Sequence, residues 1–294
     1  MRALVTGGAG FIGGHLTDKL VELGYDVTVI DNESAEANDV FYKNKDAKYY
    51  KININDYEKI QDLFKDIDYV FHLAAESRIG PCIENPMMAC QTNVIGTCNV
   101  LQASRIHNVK RVVYSSTSAC YGLTDVIPMT EELVLDNLNP YSTSKLAGED
   151  LCNMYTKLYG LETISLRYFN VFGERMPETG QYAPVIAIFQ RQIRDGQTMT
   201  VVGDGNQRRD FVYVKDVVNA NIMASLSNKK FCGTAYNVGT GTNISVLEIA
   251  QLLNKPYKYI AARPGEARNT KADIKKINSM GWSPTVLVKD WLLK

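Results

Sequence analysis

The stretch Arg2-Ala3-Leu4-Val5-Thr6-Gly7-Gly8-Ala9-Gly10-Phe11-Ile12-Gly13-Gly14 decides how the chain is read. A short apolar run ends in glycines, and a helical repeat through Leu16, Leu20 and Leu23 follows, so the segment reads strand, tight turn, helix. Gly7, Gly10 and Gly13 recur at every third position. This spacing lets a backbone approach a pyrophosphate closely and offers it the free N–H groups at a helix N-terminus. A second strand, residues 26–30, ends in Asp31-Asn32. A carboxylate there accepts hydrogen bonds from adenosine ribose hydroxyls and repels a 2′-phosphate, which favours NAD over NADP. Glycines serving only a surface turn would leave that coincidence of features unexplained.

Strands and helices continue to alternate. A strand is expected over 48–54, a helix over about 56–64, and a strand over 69–73 whose end, Leu73-Ala74-Ala75, is small enough for a cofactor to lie across. His72 lies inside that apolar strand and reads as a buried structural residue. A long helix is expected over about 84–107, with Asn93 interrupting its face of apolar and small residues. The strand 111–114 then leads into a hydroxyl-rich run, Ser115-Ser116-Thr117-Ser118. The alternation predicts an α/β fold, a Rossmann-like doubly wound parallel sheet with a smaller α/β substrate-binding domain. The division is expected near residue 170, with 1–170 binding the dinucleotide, 171–294 binding substrate, and some later segments returning to the sheet.

Asn139-Pro140-Tyr141-Ser142-Thr143-Ser144-Lys145 reads as a helix start, with Asn139 as N-cap and Pro140 as the first helical residue. Tyr141 and Lys145 then lie one turn apart on one face. An ammonium beside a phenol favours the phenolate, so the pair is expected to act as a base nearer neutral pH than an isolated tyrosine. Taken alone, the spacing is also that of an ordinary amphipathic helix.

Lys plus Arg and Asp plus Glu both number 32 among 294 residues, so no global field attracts nucleic acid or an anionic membrane. Any small anion must be held by local charge. The amino terminus carries no signal-peptide pattern, and no apolar run is long enough to span a bilayer. The six cysteines form no C-x-x-C pair and read as reduced cytosolic thiols, so a cytoplasmic protein without a metal site is expected.

Together these motifs resemble the extended short-chain dehydrogenase/reductase family, and the carboxyl half is similar to its nucleotide-sugar epimerases. The resemblance rests on Thr-Gly-Gly-Ala-Gly-Phe-Ile-Gly, Asp31-Asn32, Leu73-Ala74-Ala75, the Ser-Ser-Thr run and Tyr141-x-x-x-Lys145. Further along it rests on Arg167-Tyr168-Phe169-Asn170-Val171-Phe172-Gly173, on Gly203-Asp204-Gly205 through Asp216, and on Arg263-Pro264-Gly265-Glu266. It implies Thr117 as the catalytic hydroxyl, Tyr141 as acid/base and Lys145 as its partner. For NAD it implies Gly7, Gly10, Phe11, Ile12, Gly13, Asp31, Asn32, Asn53, Ile54, Leu73, Ala74, Ala75, Asn93, Ser115 and Tyr168, besides Tyr141 and Lys145. For a UDP-sugar it implies Thr117, Tyr141, Asn170, Arg209, Arg263, Glu266 and Thr270; two arginines suit a diphosphate because each guanidinium offers a fork of donors.

The implied reaction is inversion at C4 of a UDP-hexose, through a transient 4-keto sugar and with NAD recycled. Asn53 stands where relatives usually carry an aspartate, and Ser77 replaces a lysine found in some of them. Thr270 replaces a bulky tyrosine, which implies room for an N-acetyl group at C2 and hence UDP-GlcNAc/UDP-GalNAc beside UDP-glucose/UDP-galactose. The rivals are a UDP-glucuronate 4-epimerase, a 4,6-dehydratase, whose members carry Asp-Glu where this chain has Ser118-Ala119, and a non-enzymatic NAD-sensing protein. By resemblance, the helices near 84–107 and 141–159 pair in a homodimer.

Overall fold

The computed structural model describes residues 1–35, 40–179, 183–262 and 267–293. In chain order the strands are β1 Arg2–Thr6, β2 Asp26–Ile30, β3 Lys48–Tyr50, β4 Tyr69–His72, β5 Arg111–Thr117, β6 Thr163–Tyr168, β7 Asn170–Phe172, β8 Met199–Val202, β9 Arg208–Arg209, β10 Phe211–Tyr213, β11 Ala235–Val238, β12 Ile244–Ser245 and β13 Tyr257–Ile260. Seven form one sheet in the order β11-β6-β5-β4-β1-β2-β3, with every pairing parallel. The strand order reverses beside β1, and Thr6 pairs with both Ile30 and His72, so the carboxyl ends of β1, β2 and β4 lie level. Ligands of open α/β sheets bind at that reversal.

Helices cover both faces, which is why the central strands are apolar runs rather than alternating ones. Leu16 and Leu20 of helix Phe11–Glu22 pack with Val217 and Ile222 of helix Val214–Leu226 on one face. Phe64, Val100, Leu101 and Tyr155 pack on the other. A third core, built around Phe172, Phe189, Val201, Phe211 and Ile249, belongs to the carboxyl half. β11 comes from that half yet pairs with β6 in the main sheet.

Several elements differ from expectation. The strand over 48–54 stops at Tyr50, because β3 is the sheet's edge and Ile52 N–H turns back to the Tyr50 carbonyl. The helix over 56–64 is one α-turn, Tyr57–Ile60, continued as a 3₁₀ turn, Gln61–Phe64. The helix over 84–107 is broken at Asn85. Pro86 forces its predecessor toward extended backbone, and Asn85 then caps a new helix by accepting Met88 N–H at 3.1 Å. That helix runs Pro86–Cys90, loosens to a π-turn over Gln91–Gly96 that contains Asn93, and resumes as Thr97–Ile106. Ser115, Ser116 and Thr117 of the hydroxyl run lie within β5 itself, where all seven residues are buried, and Ser118 starts a 3₁₀ turn.

Helix Pro140–Tyr159 starts as its sequence requires. Asn139 Oδ1 accepts Ser142 N–H at 3.0 Å, Ser142 Oγ accepts Asn139 N–H at 3.4 Å, and Pro140 needs no partner. Gly160, at φ 72°, ends it. Asn139→Ala is expected to cost about 1 kcal/mol in urea unfolding, with Asn139→Asp recovering most of it. Equal stability of the alanine variant would contradict the cap.

Candidate active site

The floor of the site is the turn after β1. Gly7 has φ 72°, and a Cβ there would sit 2.7 Å from Ala74 N; a Cβ on Gly13 would overlap the Gly7 carbonyl oxygen. Glycine is therefore enforced at both places by packing of turn against helix and neighbouring strand. No side chain caps helix Phe11–Glu22, so its first N–H groups face the cleft for an anion to meet. Asp31 is tied to the same turn: Oδ2 accepts Ala9 N–H at 2.9 Å and Oδ1 accepts Glu33 N–H at 2.8 Å.

A cleft of about 790 Å³ opens above these residues, within the range of small-molecule sites. Gly7, Gly10, Phe11, Ile12, Gly13, Asp31 and Asn32 line it with Asn53, Ile54, Leu73, Ala74, Ala75, Ser115, Tyr141, Lys145 and Tyr168. A cradle that no Cβ can enter, an uncapped helix start and a tethered carboxylate fit a dinucleotide. Asn53 Oδ1 already accepts Asn55 N–H at 2.9 Å. The Tyr168 hydroxyl is joined to Ser115 Oγ at 2.9 Å and to Asn221.

Asn93 is placed behind the cleft wall. It is 1% exposed; its Oδ1 accepts Glu76 N–H at 2.8 Å while Nδ2 donates to the Glu76 carbonyl at 3.0 Å and to Ser144 Oγ at 2.9 Å. It thus ties the loop after β4 to the helix that carries Tyr141. His72, between Thr6 Oγ1 at 2.6 Å and Thr97 Oγ1 at 2.9 Å, is buried, and burial pushes its pKa down to about 3. It is a neutral structural residue, as expected.

The Tyr141 and Lys145 pair corrects one expectation. Burial pushes the Tyr141 phenol up to about 12, against the smaller opposing effect of the nearby Thr117 hydroxyl. Burial likewise pushes Lys145 down to about 7; it is 3% exposed, with Nζ over the Tyr114 ring at 4.3 Å. The expected lowering of the phenol by a neighbouring ammonium is overridden, because desolvation takes the ammonium itself toward neutrality. In the chain alone near pH 7, Tyr141 is therefore a phenol and Lys145 is drawn toward its neutral amine.

Behind Lys145 lies an ion pair that sequence reasoning missed, although Glu149 follows Lys145 by four residues on the same helix face. Arg167 donates to Glu149 at 2.9 and 2.7 Å, with both side chains buried, and Ser116 Oγ donates to the same carboxylate. Arg167 Nη1 donates to Tyr121 Oη at 3.0 Å, and Tyr121 donates to Asn237 Oδ1 at 2.7 Å. Asn237 Nδ2 donates to the Met129 carbonyl at 2.9 Å. The chain of bonds connects β5, the Tyr141 helix and β11. Ser34, Phe41, Arg78, Thr92 and Thr179 also line the cleft, and no local motif marks them.

Asn170, Arg209 and Thr117, expected at the substrate, are not among the residues lining this cleft; Asn170 Nδ2 donates to the Asp210 carbonyl at 3.2 Å and Arg209 Nη1 to the Arg208 carbonyl at 3.0 Å. Thr270 is buried and is not among the residues lining the cleft; its Oγ1 accepts Asp210 N–H at 3.4 Å. Asp210 is the hub of this region: its carboxylate accepts the N–H groups of Thr240 at 2.7 Å, Gly241 at 3.0 Å and Ala272 at 3.0 Å. Arg263 and Glu266 lie outside the described residues.

Comparison with known proteins places these features. The family model described as "NAD dependent epimerase/dehydratase family" matches residues 3–239. A putative UDP-glucose 4-epimerase of Methanocaldococcus jannaschii is 38% identical, covering 98% of this chain and 94% of its own length. The crystal structure of a Thermotoga maritima UDP-glucose 4-epimerase with UDP-glucose has a TM-score of 0.94 at 36% identity, covering 100% of this chain and 96% of that one. A UDP-N-acetylglucosamine 4-epimerase from Methanobrevibacter ruminantium, in complex with UDP-N-acetylmuramic acid, has a TM-score of 0.93 at 32% identity over 99% and 96%.

The buried lysine yields a direct check. In cofactor-free protein the Lys145 ammonium, followed by NMR of labelled lysine, is expected to titrate near pH 7 while surface lysines titrate near 10. A Lys145 midpoint above 9 would contradict the burial account. Because its folded pKa is below the unfolded value of 10.5, this residue's contribution to the stability of cofactor-free protein should rise with pH from about 7 to 10.5.

Proposed function

The chain belongs to the NAD dependent epimerase/dehydratase family, in its extended short-chain dehydrogenase/reductase branch, and from that premise we propose that it inverts C4 of a UDP-hexose. UDP-glucose and UDP-galactose are the first substrates, with UDP-GlcNAc and UDP-GalNAc beside them. The observation that carries this reading is the buried Tyr141 phenol, with the Thr117 hydroxyl near it, in the cleft that the glycine turn and Asp31 also line. Residues 1–170 would hold the dinucleotide and 171–294 the sugar nucleotide, with β11 returning to the main sheet.

NAD is the cofactor, and when bound it supplies a reversible hydride acceptor and a positive charge at the nicotinamide. The glycine turn would seat its pyrophosphate and Asp31 its adenosine ribose. Tyr141 takes the proton of the sugar 4-hydroxyl as C4 is oxidised and returns it as C4 is reduced from the other face. Thr117 orients the phenol and the same sugar oxygen. Lys145, when protonated, lends the phenolate a positive neighbour that burial otherwise withholds. Asn170, Arg209, Arg263 and Glu266 are assigned to the sugar nucleotide by resemblance.

The small side chain at Thr270 supports acceptance of an N-acetyl group at C2. Ile83, Met87 and Ile95, with Leu158 and Tyr159 of helix Pro140–Tyr159, expose apolar surface that supports pairing of two copies. Six thiols without a disulfide pattern support a cytoplasmic location.

Purified protein mixed with UDP-glucose or UDP-GlcNAc should yield the C4 epimers, read by the C4 proton couplings in NMR. Unchanged sugars would sink the reading, and a 4-keto-6-deoxy product would favour a dehydratase. Tyr141→Phe should lower kcat at least about 10²-fold while NAD and UDP-sugar still bind; wild-type turnover would undo the assignment. Thr270→Tyr should reduce turnover of UDP-GlcNAc selectively, whereas equal losses on both sugars would count against its role in selecting the C2 group.

A further inference from the structure

The segment that follows β7 belongs to the carboxyl half, yet it forms part of the wall of the dinucleotide cleft. Met176 anchors it in the third core, and the Glu174 carboxylate accepts the Tyr213 hydroxyl at 2.9 Å. Glu178 is held by helix Val185–Arg194: its carbonyl accepts Arg191 Nη1 at 2.8 Å and its carboxylate pairs with Arg194 at 2.6 Å. Pro177 and Thr179 line the cleft.

Both ends of this segment are fastened to loops of the amino half. Arg175 Nη1 donates to Asp18 Oδ2, on helix Phe11–Glu22, at 2.7 Å, and its guanidinium lies 4.7 Å from the centre of the Tyr42 ring. It does so from a left-handed backbone, φ 63°, which a residue other than glycine adopts only against steric resistance. Tyr42 follows Phe41, a cleft residue of the loop after β2. The same Asp18 carboxylate accepts Asn44 Nδ2 at 2.8 Å, so one side chain joins that loop, the helix and the segment after β7. At the other end Arg78, in the loop after β4, donates to the Thr179 carbonyl at 3.3 Å. β2 and β4 flank β1 in the sheet. Residues 174–179 therefore bridge the loops that follow β1's two neighbours, with the glycine turn between them.

We propose that residues 174–179 are a strap across the dinucleotide cleft and that Arg175 latches it, so that NAD enters and leaves only when the Arg175 contacts with Asp18 and Tyr42 open. The ion pair is partly exposed at both ends, and such a pair with one cation–π contact is weak enough to open reversibly while still slowing exchange. Arg175, Asp18 and Tyr42 do not line the cleft. The latch thus acts through the strap, as a positioning device, and breaking it loosens the strap whether or not NAD is bound. NAD as cofactor is the premise, and the identity of the sugar plays no part.

The test is the exchange of NAD itself: release of labelled NAD from loaded protein into excess unlabelled NAD, with the association rate and Kd measured on NAD-free protein. Arg175→Gln is expected to speed release and association alike, about 3- to 30-fold, with Kd changing less than about threefold. Asp18→Asn should do the same, the double variant should fall well short of the product of the two effects, and Tyr42→Phe, which keeps the ring, should exchange as the wild type does. Faster release with unchanged association and a correspondingly weaker Kd would place the guanidinium on the dinucleotide and overturn the latch. Slower release in Asp18→Asn, which frees Arg175 for the phosphates, would overturn it as well. Unchanged rates in Arg175→Gln, even with a lower melting temperature, would leave only a structural staple and contradict the proposal. NAD exchange is read without turning over any sugar, so failure of the latch and failure of the epimerase reading are told apart.

Discussion

Desolvation favours the neutral form of both Tyr141 and Lys145, pushing the phenol up and the ammonium down, so in the chain alone Tyr141 stays a phenol and Lys145 is drawn toward the neutral amine. A low-dielectric cleft makes any later charge act strongly on both groups. Among the described residues, the Thr117 hydroxyl works toward the phenolate. What the fold contributes is therefore position and dryness, while the charge that tips the proton must arrive with what binds.

Holding such a pair demands a rigid surround. The capped helix start sets the rotation of Tyr141 and Lys145, and one turn later Glu149 is clamped by Arg167 and Ser116. Ser116 directly precedes Thr117 on β5, so one buried carboxylate ties the strand bearing the hydroxyl to the helix bearing the acid/base. Removing one partner of a buried pair leaves the other charge uncompensated, which is far more damaging than losing a surface ion pair. On the opposite wall, Asn93 does comparable work for the loop after β4.

Much of this was legible in the sequence where local chemistry dictates one answer. Gly7 and Gly13 permit no Cβ, Asn139-Pro140 permits one helix start, and the alternation of apolar strands with helices predicts a parallel sheet; each appears as read. Boundaries set by tertiary context were not. The edge position of β3 shortens it, and the hydroxyls of β5 extend the strand because Glu149 and Tyr168 meet them from elsewhere; the break in the helix over 84–107, by contrast, is written locally in Asn85-Pro86, which the expected helix ignores. The phenolate expectation failed for a related reason, since i,i+4 spacing reports proximity but not burial. Arg78 and Thr179 come together across a hundred residues of sequence, and no spacing rule reaches that far.

If Tyr141 moves only an oxygen-bound proton, the hydrogen on C4 never exchanges with solvent. Epimerisation of UDP-glucose in D₂O, followed by NMR of the product, tests this directly. UDP-galactose carrying protium at C4 is the predicted result, and deuterium at C4, which would require a carbon-bound proton to be removed and replaced from water, would contradict it.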